Sequence, residues 1–224
     1  MIFEKLVNSA KGFDLGGRSD LDAAAQSALV RELWEHFERK YKTKVVAKAS
    51  AAEMKAAAWA LNKMGITGTR EFLEHFVTTI GHTIYTPFVV GVPMAGWSLW
   101  AQVSVCAHEH QHVVQLERDG AIKFFAKYLL SAARRAELEV DAYRCDMELW
   151  WWHRGELLDG GELANQLLSY GCRKEDVVTA ERSLRSAAVT VEHGGIVTEA
   201  AKVAVSWLAA HAGDLRAAPA GNVG

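Results

Sequence analysis

The chain has 224 residues, half of them hydrophobic, and a formal net charge of −2 at neutral pH. This length fits one domain, or one domain with a helical appendage, and the apolar content suffices for a core without disulfides. Acidic and basic residues are interspersed, which argues against a nucleic-acid partner. The cysteines Cys106, Cys145 and Cys172 are widely spaced and odd in number, so they predict a reducing compartment and no disulfide scaffold.

Targeting features are absent from the printed sequence. The first residues lack a basic region followed by an apolar stretch, so no signal peptide is predicted. The longest apolar stretch, Val89 to Val105, is interrupted by glycine, proline and polar residues and is a poor membrane span. We therefore expect a cytoplasmic protein without a membrane partner.

The first third of the chain predicts two helices with a short strand between them. Ser19 or Asp20 is a candidate N-cap for a helix that runs from Leu21 to about Lys40 with apolar residues at helical spacing. The β-branched run 43–47 predicts a strand, and a second helix is expected over 50–64.

The stretch 72–90 turns β-branched and aromatic, which predicts two strands with Gly81-His82 as the tip between them. Pro87 lies late in the second strand and favours an edge position there, because proline cannot donate a ladder hydrogen bond.

Helices dominate the rest of the chain. One is predicted from Trp97 to about Leu116, and a single long helix from Ala121 to His153. Two or three more are expected over 162–211, and the Ala/Gly-rich residues 213–224 predict a disordered tail.

Few strands and many helices predict an α+β fold, mostly helical, with a small antiparallel sheet. We expect one domain over residues 1–155, with the helical residues 156–212 packed on it as a C-terminal extension.

The residues that most clearly indicate a function form a His-Glu-x-x-His motif, at His108, Glu109 and His112. Residues four apart share one helical face, so the two imidazoles can converge on a single zinc ion. Glu109 lies about 100° further around the helix, where its carboxylate can accept a proton from a metal-bound water. His110 and Cys106 point away from that face, and we expect them to be packed or hydrogen-bonded.

A catalytic zinc usually takes three protein ligands, and the long helix offers two candidates for the third. Glu137 shares a face with Arg134, Asp141 and Arg144, which is typical of a salt-bridged solvent face. Glu139 lies instead among apolar and aromatic residues, where a carboxylate is costly unless it is paired or bound to a metal. This argument favours Glu139 and leaves Glu137 as the alternative.

The motif and the downstream run Glu139-Val140-Asp141-Ala142 resemble the gluzincin group of zinc metallopeptidases. The resemblance implies a zincin-like domain, with His108, His112 and Glu139 as zinc ligands and Glu109 as general base. It also implies that the strand around 82–88 lines the cleft and pairs with an extended peptide.

The chain departs from the family pattern at a position on the same helix as the ligand glutamate. Many members carry an aspartate four residues after it, where this chain has Tyr143; the register of Glu137 with Asp141 would keep that aspartate. Tyr143 and His153 are candidates for stabilising the oxyanion. The sequence thus predicts a zinc-dependent peptidase acting on peptides or proteins, or else a catalytically silent zinc-binding sensor or interaction protein of the same fold.

Overall fold

The computed structural model describes residue 15, residues 21–48, residue 51 and residues 76–217. Over these residues the fold is α+β and mostly helical, as predicted. The helices are α1 (Ala23–Tyr41), α2 (Leu99–Asp119), α3 (Ala121–Leu130), α4 (Ala132–Arg154), α5 (Gly160–Asn165), α6 (Lys174–Glu192) and α7 (Glu199–His211). The strands are β1 (Lys44–Ala47), β2 (Thr78–Ile80) and β3 (Thr83–Thr86), and 3-10 helices cover Gln166–Tyr170 and Gly213–Leu215. None of the described helices combines the length and the apolar character needed to cross a bilayer.

The first helix begins slightly later than its sequence predicts. Its N-cap is Asp22, whose side chain accepts a hydrogen bond from the Ala25 amide at 2.8 Å. The predicted caps, Ser19 and Asp20, lie outside the described residues, and the Asp22 side chain accepts from one of the amides that the first turn leaves free. The helix predicted over 50–64 lies outside the described residues.

The three strands form a mixed sheet in the order β1-β3-β2, which corrects the predicted antiparallel sheet. The turn at Gly81 pairs β2 with β3 antiparallel, and β1 pairs with the other side of β3 in parallel. The strand predicted at the edge is therefore central. Pro87 is compatible with this because β3 already ends at Thr86, so no ladder hydrogen bond is lost. Among the described strands, β2 is an edge strand.

The long helix predicted from Ala121 to His153 is two helices, separated at Ser131. The Ser131 backbone is extended (φ −137°, ψ 111°), and its hydroxyl accepts a hydrogen bond from the Arg134 amide at 3.3 Å. Serine competes well for this N-cap role, so it starts α4 anew instead of continuing α3. Helix α3 then folds back over the start of α4, where Phe124 packs on Leu138.

Helices α2 and α4 lie side by side at the centre of the molecule, with α1 and α7 packed on α2 and with α6 packed on α4. Almost every residue of α2 from Leu99 to Leu116 is buried, including its polar ones. The C-terminal helices share this core: Leu184 and Leu208 are both fully buried in it. The two central helices are therefore the rigid elements that can hold a site.

The chain remains ordered beyond Gly213, contrary to the predicted tail boundary. Leu215 is fully buried, and its carbonyl accepts a hydrogen bond from His153 Nδ1 at 2.8 Å. The His153 ring is buried and stacks on Trp100 with centroids 3.7 Å apart. Burial, stacking and this hydrogen bond explain the position of His153 as a core side chain, without a role at the metal motif. Residues 218–224 lie outside the described part of the chain.

Candidate metal centre

The two central helices bring His108, His112 and Glu139 into one buried group. The two imidazoles project from consecutive turns of α2, and the carboxylate projects from α4. His108 Nε2 lies 3.6 Å from Glu139 Oε2, and His112 Nε2 lies 3.7 Å from Glu139 Oε1. One ligand atom from each residue falls within 4.8 Å of the others, so the group could hold a metal ion.

The surroundings of the Glu139 carboxylate favour binding of a cation. Its side chain is only 1% exposed, and its Oε2 atom has no hydrogen-bond partner within the described residues. A buried oxygen without a partner is costly, and a bound cation would remove that cost. Tetrahedral ligands about 2.0–2.2 Å from zinc are separated by about 3.3–3.6 Å, close to the separations found here.

A carboxylate orients His108 through the ring nitrogen that does not face Glu139. His108 Nδ1 lies 2.8 Å from Asp146 Oδ2, and Asp146 Oδ1 accepts a hydrogen bond from the Ser104 hydroxyl at 2.7 Å. An ionised carboxylate can only accept, so Nδ1 of His108 carries a proton and Nε2 is the ring atom that would ligate a metal ion. Asp146 lies two helical turns beyond Glu139, on the same face of α4. The family pattern places this aspartate one turn beyond the ligand, so the sequence did not identify Asp146 as the support.

An amide supports the second histidine. His112 Nδ1 lies 2.9 Å from Gln115 Oε1, while Gln115 Nε2 donates to Asp141 Oδ2 at 2.9 Å. Asp141 also accepts from Gln111 Nε2 at 3.0 Å. The aspartate that the alternative register retained therefore supports His112 through Gln115, even though Glu137 is not part of the group.

A tyrosine from α3 fixes the carboxylate. The Tyr128 hydroxyl donates to Glu139 Oε1 at 2.6 Å. The buried guanidinium of Arg135 donates to the backbone carbonyl of Tyr128 and, at 3.4 Å, to that of Gly171. Arg135 thus ties both the helix that carries Tyr128 and the segment after Tyr170 to α4.

Electrostatics couple the three residues of the group. Burial lowers the pKa of His108, but the Asp146 carboxylate and the Glu139 carboxylate 3.6 Å away outweigh it, so the pKa lies well above its usual value. For His112 burial again lowers the pKa and Glu139 raises it, with a net upward shift. Burial raises the pKa of Glu139, but the two histidines bring it far below its usual range. The raised pKa values favour protonated histidines beside the carboxylate, so a metal ion would displace protons from the imidazoles when it binds.

The Glu109 carboxylate interacts electrostatically with His108 and His112 and is held by the sheet. It is 6% exposed, and its Oε2 accepts a hydrogen bond from the Thr79 hydroxyl of β2 at 2.6 Å. Lys48, just after β1, interacts electrostatically with Glu109, and its Nζ donates to the Phe76 carbonyl at 2.8 Å. Burial lowers the pKa of Lys48 to about 8, against the opposing effect of Glu109.

Two further tyrosines line this region. The Tyr143 ring packs edge-on against His108, with centroids 5.5 Å apart, and Tyr170 packs edge-on against Phe76 at 5.6 Å. Burial raises the pKa of both phenols well above the usual value, and the Glu139 carboxylate adds to the shift. Both therefore remain neutral hydrogen-bond donors. Tyr143 was a candidate from the sequence, whereas Tyr170 was not, because nothing in a C-terminal helical segment indicates contact with this region.

The remaining candidates lie elsewhere. Glu137 is about 60% exposed and pairs with Arg134 at 2.7 Å, as its solvent-face pattern predicted. His110 is fully buried on the opposite side of α2: its Nδ1 donates to the Cys106 carbonyl at 2.7 Å, and its Nε2 accepts from the Thr43 hydroxyl at 2.9 Å. Burial lowers the pKa of His110 to about 4.

No protein-family model, curated protein sequence or solved structure matches this chain. The resemblance to gluzincins therefore rests on the motif residues alone. The grouping of His108, His112 and Glu139 rests on the geometry described above.

Proposed function

We propose that the protein is a zinc-dependent peptidase in which Glu109 is the general base. One observation carries the proposal: a buried His-His-Glu group that can hold a metal ion lies next to a carboxylate that is not part of it. A purely structural metal site has no need of such a base. The base belongs to the same helix as two of the ligands, so its position relative to them is fixed by the backbone.

The donor set favours zinc. Two imidazoles and one carboxylate form one of the usual ligand sets of catalytic zinc, in which the fourth position stays open to water or substrate. When bound, zinc lowers the pKa of a coordinated water and polarises a carbonyl oxygen.

The protein side chains supply the remaining steps. Glu109, oriented by Thr79, accepts a proton from the attacking water and returns it to the leaving amine. Tyr143 and Tyr170 are neutral donors available to stabilise negative charge on the carbonyl oxygen, whereas the Tyr128 hydroxyl already donates to Glu139. The described edge strand β2, which carries Thr79, replaces the 82–88 strand as the element that would pair with an extended peptide.

The burial of the site favours a second candidate, a catalytically silent zinc-binding protein. His108, His112 and Glu139 are each at most 6% exposed, and this burial restricts the access of an extended peptide to the site. The two functions differ in their need for Glu109, and that difference gives the test.

The test compares Glu109→Gln with a matched control on the same helix, Glu117→Gln, whose side chain is about half exposed. Purified wild-type protein and both variants should carry close to one zinc per chain. Against a peptide library, Glu109→Gln should lower the rate of cleavage by about a hundredfold to ten-thousandfold, because general-base catalysis contributes about that much. Glu117→Gln should cleave at the wild-type rate.

Three results would contradict the proposal. Wild-type protein that stays folded but takes up no zinc would exclude a zinc-dependent function. Loss of zinc in Glu109→Gln would make that residue a ligand. Zinc-loaded wild-type protein that cleaves no peptide in the library would favour the silent candidate.

A further inference from the structure

Helix α3 exposes most of its large apolar side chains. Of its ten residues only Phe124 is buried, whereas Ile122 is 90% exposed, Leu129 59% and Leu130 85%. Phe125 is partly buried. These are among the most exposed large hydrophobic side chains in the described part of the chain.

The exposed residues share one side of the helix. At about 100° per residue, Ile122, Phe125, Leu129 and Leu130 fall on one broad face, which we call the outer face of α3. Phe124 and Tyr128 lie on the opposite face. Phe124 contacts His112 edge-on, with ring centroids 6.4 Å apart, and Tyr128 donates to Glu139. The outer face therefore points away from the metal centre.

The segment of sequence that includes α3 is basic. Helix α3 contains Lys123 and Lys127 and no acidic residue, in a chain whose net charge is −2. Lys127 pairs with Asp119 at 2.5 Å, and the flanking Arg134 pairs with Glu137. Residues 118–134 contain four basic residues, Arg118, Lys123, Lys127 and Arg134, and one acidic residue, Asp119, which pairs with both Arg118 and Lys127.

We propose that the outer face of α3 docks on an anionic lipid surface. A basic amphipathic helix inserts its apolar side chains at the boundary between headgroups and acyl chains, while its cations meet the lipid phosphates. This contact is peripheral and does not require a spanning helix. It departs from the sequence-based expectation of no membrane partner, which considered spanning segments only.

The size of the face favours lipid over a protein partner or a second copy. Ten helical residues extend about 15 Å. A stable protein interface buries about 800 Å² on each side, far more than four side chains on such a short helix can supply. Reversible attachment to a charged bilayer has no such requirement, because a few inserted side chains and a few cations act together.

The experiment measures cosedimentation of the full-length protein with vesicles of phosphatidylcholine, with or without phosphatidylserine. Wild-type protein should bind the vesicles that contain phosphatidylserine and bind the neutral ones weakly. Raising the salt concentration should weaken binding, because the Debye length falls from about 10 Å at 0.1 M to about 3 Å at 1 M. Lys123→Gln should weaken it about fivefold.

The decisive variant combines Ile122→Ser with Leu130→Ser. It should lower vesicle binding at least about tenfold, because two exposed apolar side chains no longer insert. The matched control combines Val178→Ser with Val189→Ser on α6, where the side chains are 47% and 59% exposed, and should bind like wild type. Both double variants should keep the wild-type thermal midpoint and zinc content, which shows that the fold is intact.

Several outcomes would overturn this proposal without bearing on peptidase activity. Wild-type protein that binds neither kind of vesicle, or binds both equally, would exclude an anionic lipid surface. Equal loss of binding in the two double variants would exclude a specific role for α3. A wild-type dimer in solution that the Ile122→Ser/Leu130→Ser variant abolishes would mean that a second copy covers the outer face.

Discussion

The two sides of helix α2 carry buried histidines with opposite properties. On one side His108 faces carboxylates, which raise its pKa despite burial; on the other, His110 has a pKa lowered to about 4. Both residues are at most 4% exposed. Burial alone therefore does not decide what an imidazole can do, because the groups opposite it determine its charge.

The difference comes from the helices that pack on each side. Helix α4 presents Glu139 and Asp146 to the metal-binding side. Helix α1 presents an aromatic shell to the other side, and the Phe37 ring lies 4.7 Å from that of His110. One side of α2 is thus equipped to exchange protons for a cation, while the other keeps its histidine neutral.

The largest expected effect is on zinc binding. His108→Ala, His112→Ala and Glu139→Ala should each weaken zinc binding by at least about a thousandfold, because a binding free energy of about 10–16 kcal/mol is shared by few ligands. His110→Ala should keep one zinc per chain, although it creates a cavity. Zinc titration with a competing chelator measures both results. Loss of zinc from His110→Ala at intact fold would remove the distinction between the two sides.

The second effect is on acid stability. His110 is neutral in the folded state down to about pH 4, whereas in the unfolded chain it takes up a proton below about pH 6.5. Its contribution is therefore present above pH 6.5 and falls by about 3 kcal/mol as the pH drops to 4. His110→Phe, less stable at neutral pH, should show a correspondingly smaller loss across this window. Denaturant unfolding of metal-free proteins at several pH values measures the difference, and parallel pH profiles would contradict it.

A smaller effect concerns the support behind each ligand. Asp146→Asn should lower zinc affinity about 10- to 100-fold, because it disturbs the Nδ1 hydrogen bond that orients His108. Asp141→Asn should cost less, since Asp141 reaches His112 only through Gln115. Chelator competition compares the zinc affinities of the two variants. A larger loss of affinity in Asp141→Asn would mean that Asp141 contributes more to zinc binding than Asp146 does.

The smallest effect separates the two candidate glutamates. Glu137→Ala should leave zinc affinity unchanged and alter the free energy of unfolding by about 0–1 kcal/mol, because its partner Arg134 is also exposed. Equilibrium unfolding and zinc titration check this together with Glu139→Ala. A sharp loss of zinc in the Glu137 variant would identify Glu137 as the third ligand in place of Glu139.

The group that could hold a metal ion was predictable because its members are identified by local sequence features. The spacing of His108 and His112 follows from one helical period, and Glu139 stands out as an acid on an apolar face. Thr79 and Lys48 could not be assigned, because their approach to Glu109 depends on the order of the strands. That order, with β3 in the centre, follows from the packing of the whole chain and not from any single stretch.

The break at Ser131 changes distances along the chain. In a continuous helix Tyr128 and Glu139 would stand about 16 Å apart along the axis, out of reach of each other. With one extended residue between α3 and α4, the hydroxyl of the first and the carboxylate of the second are 2.6 Å apart. A single helix-interrupting serine is thus what allows a nearby stretch of sequence to complete the surroundings of Glu139, with only a short loop to order during folding.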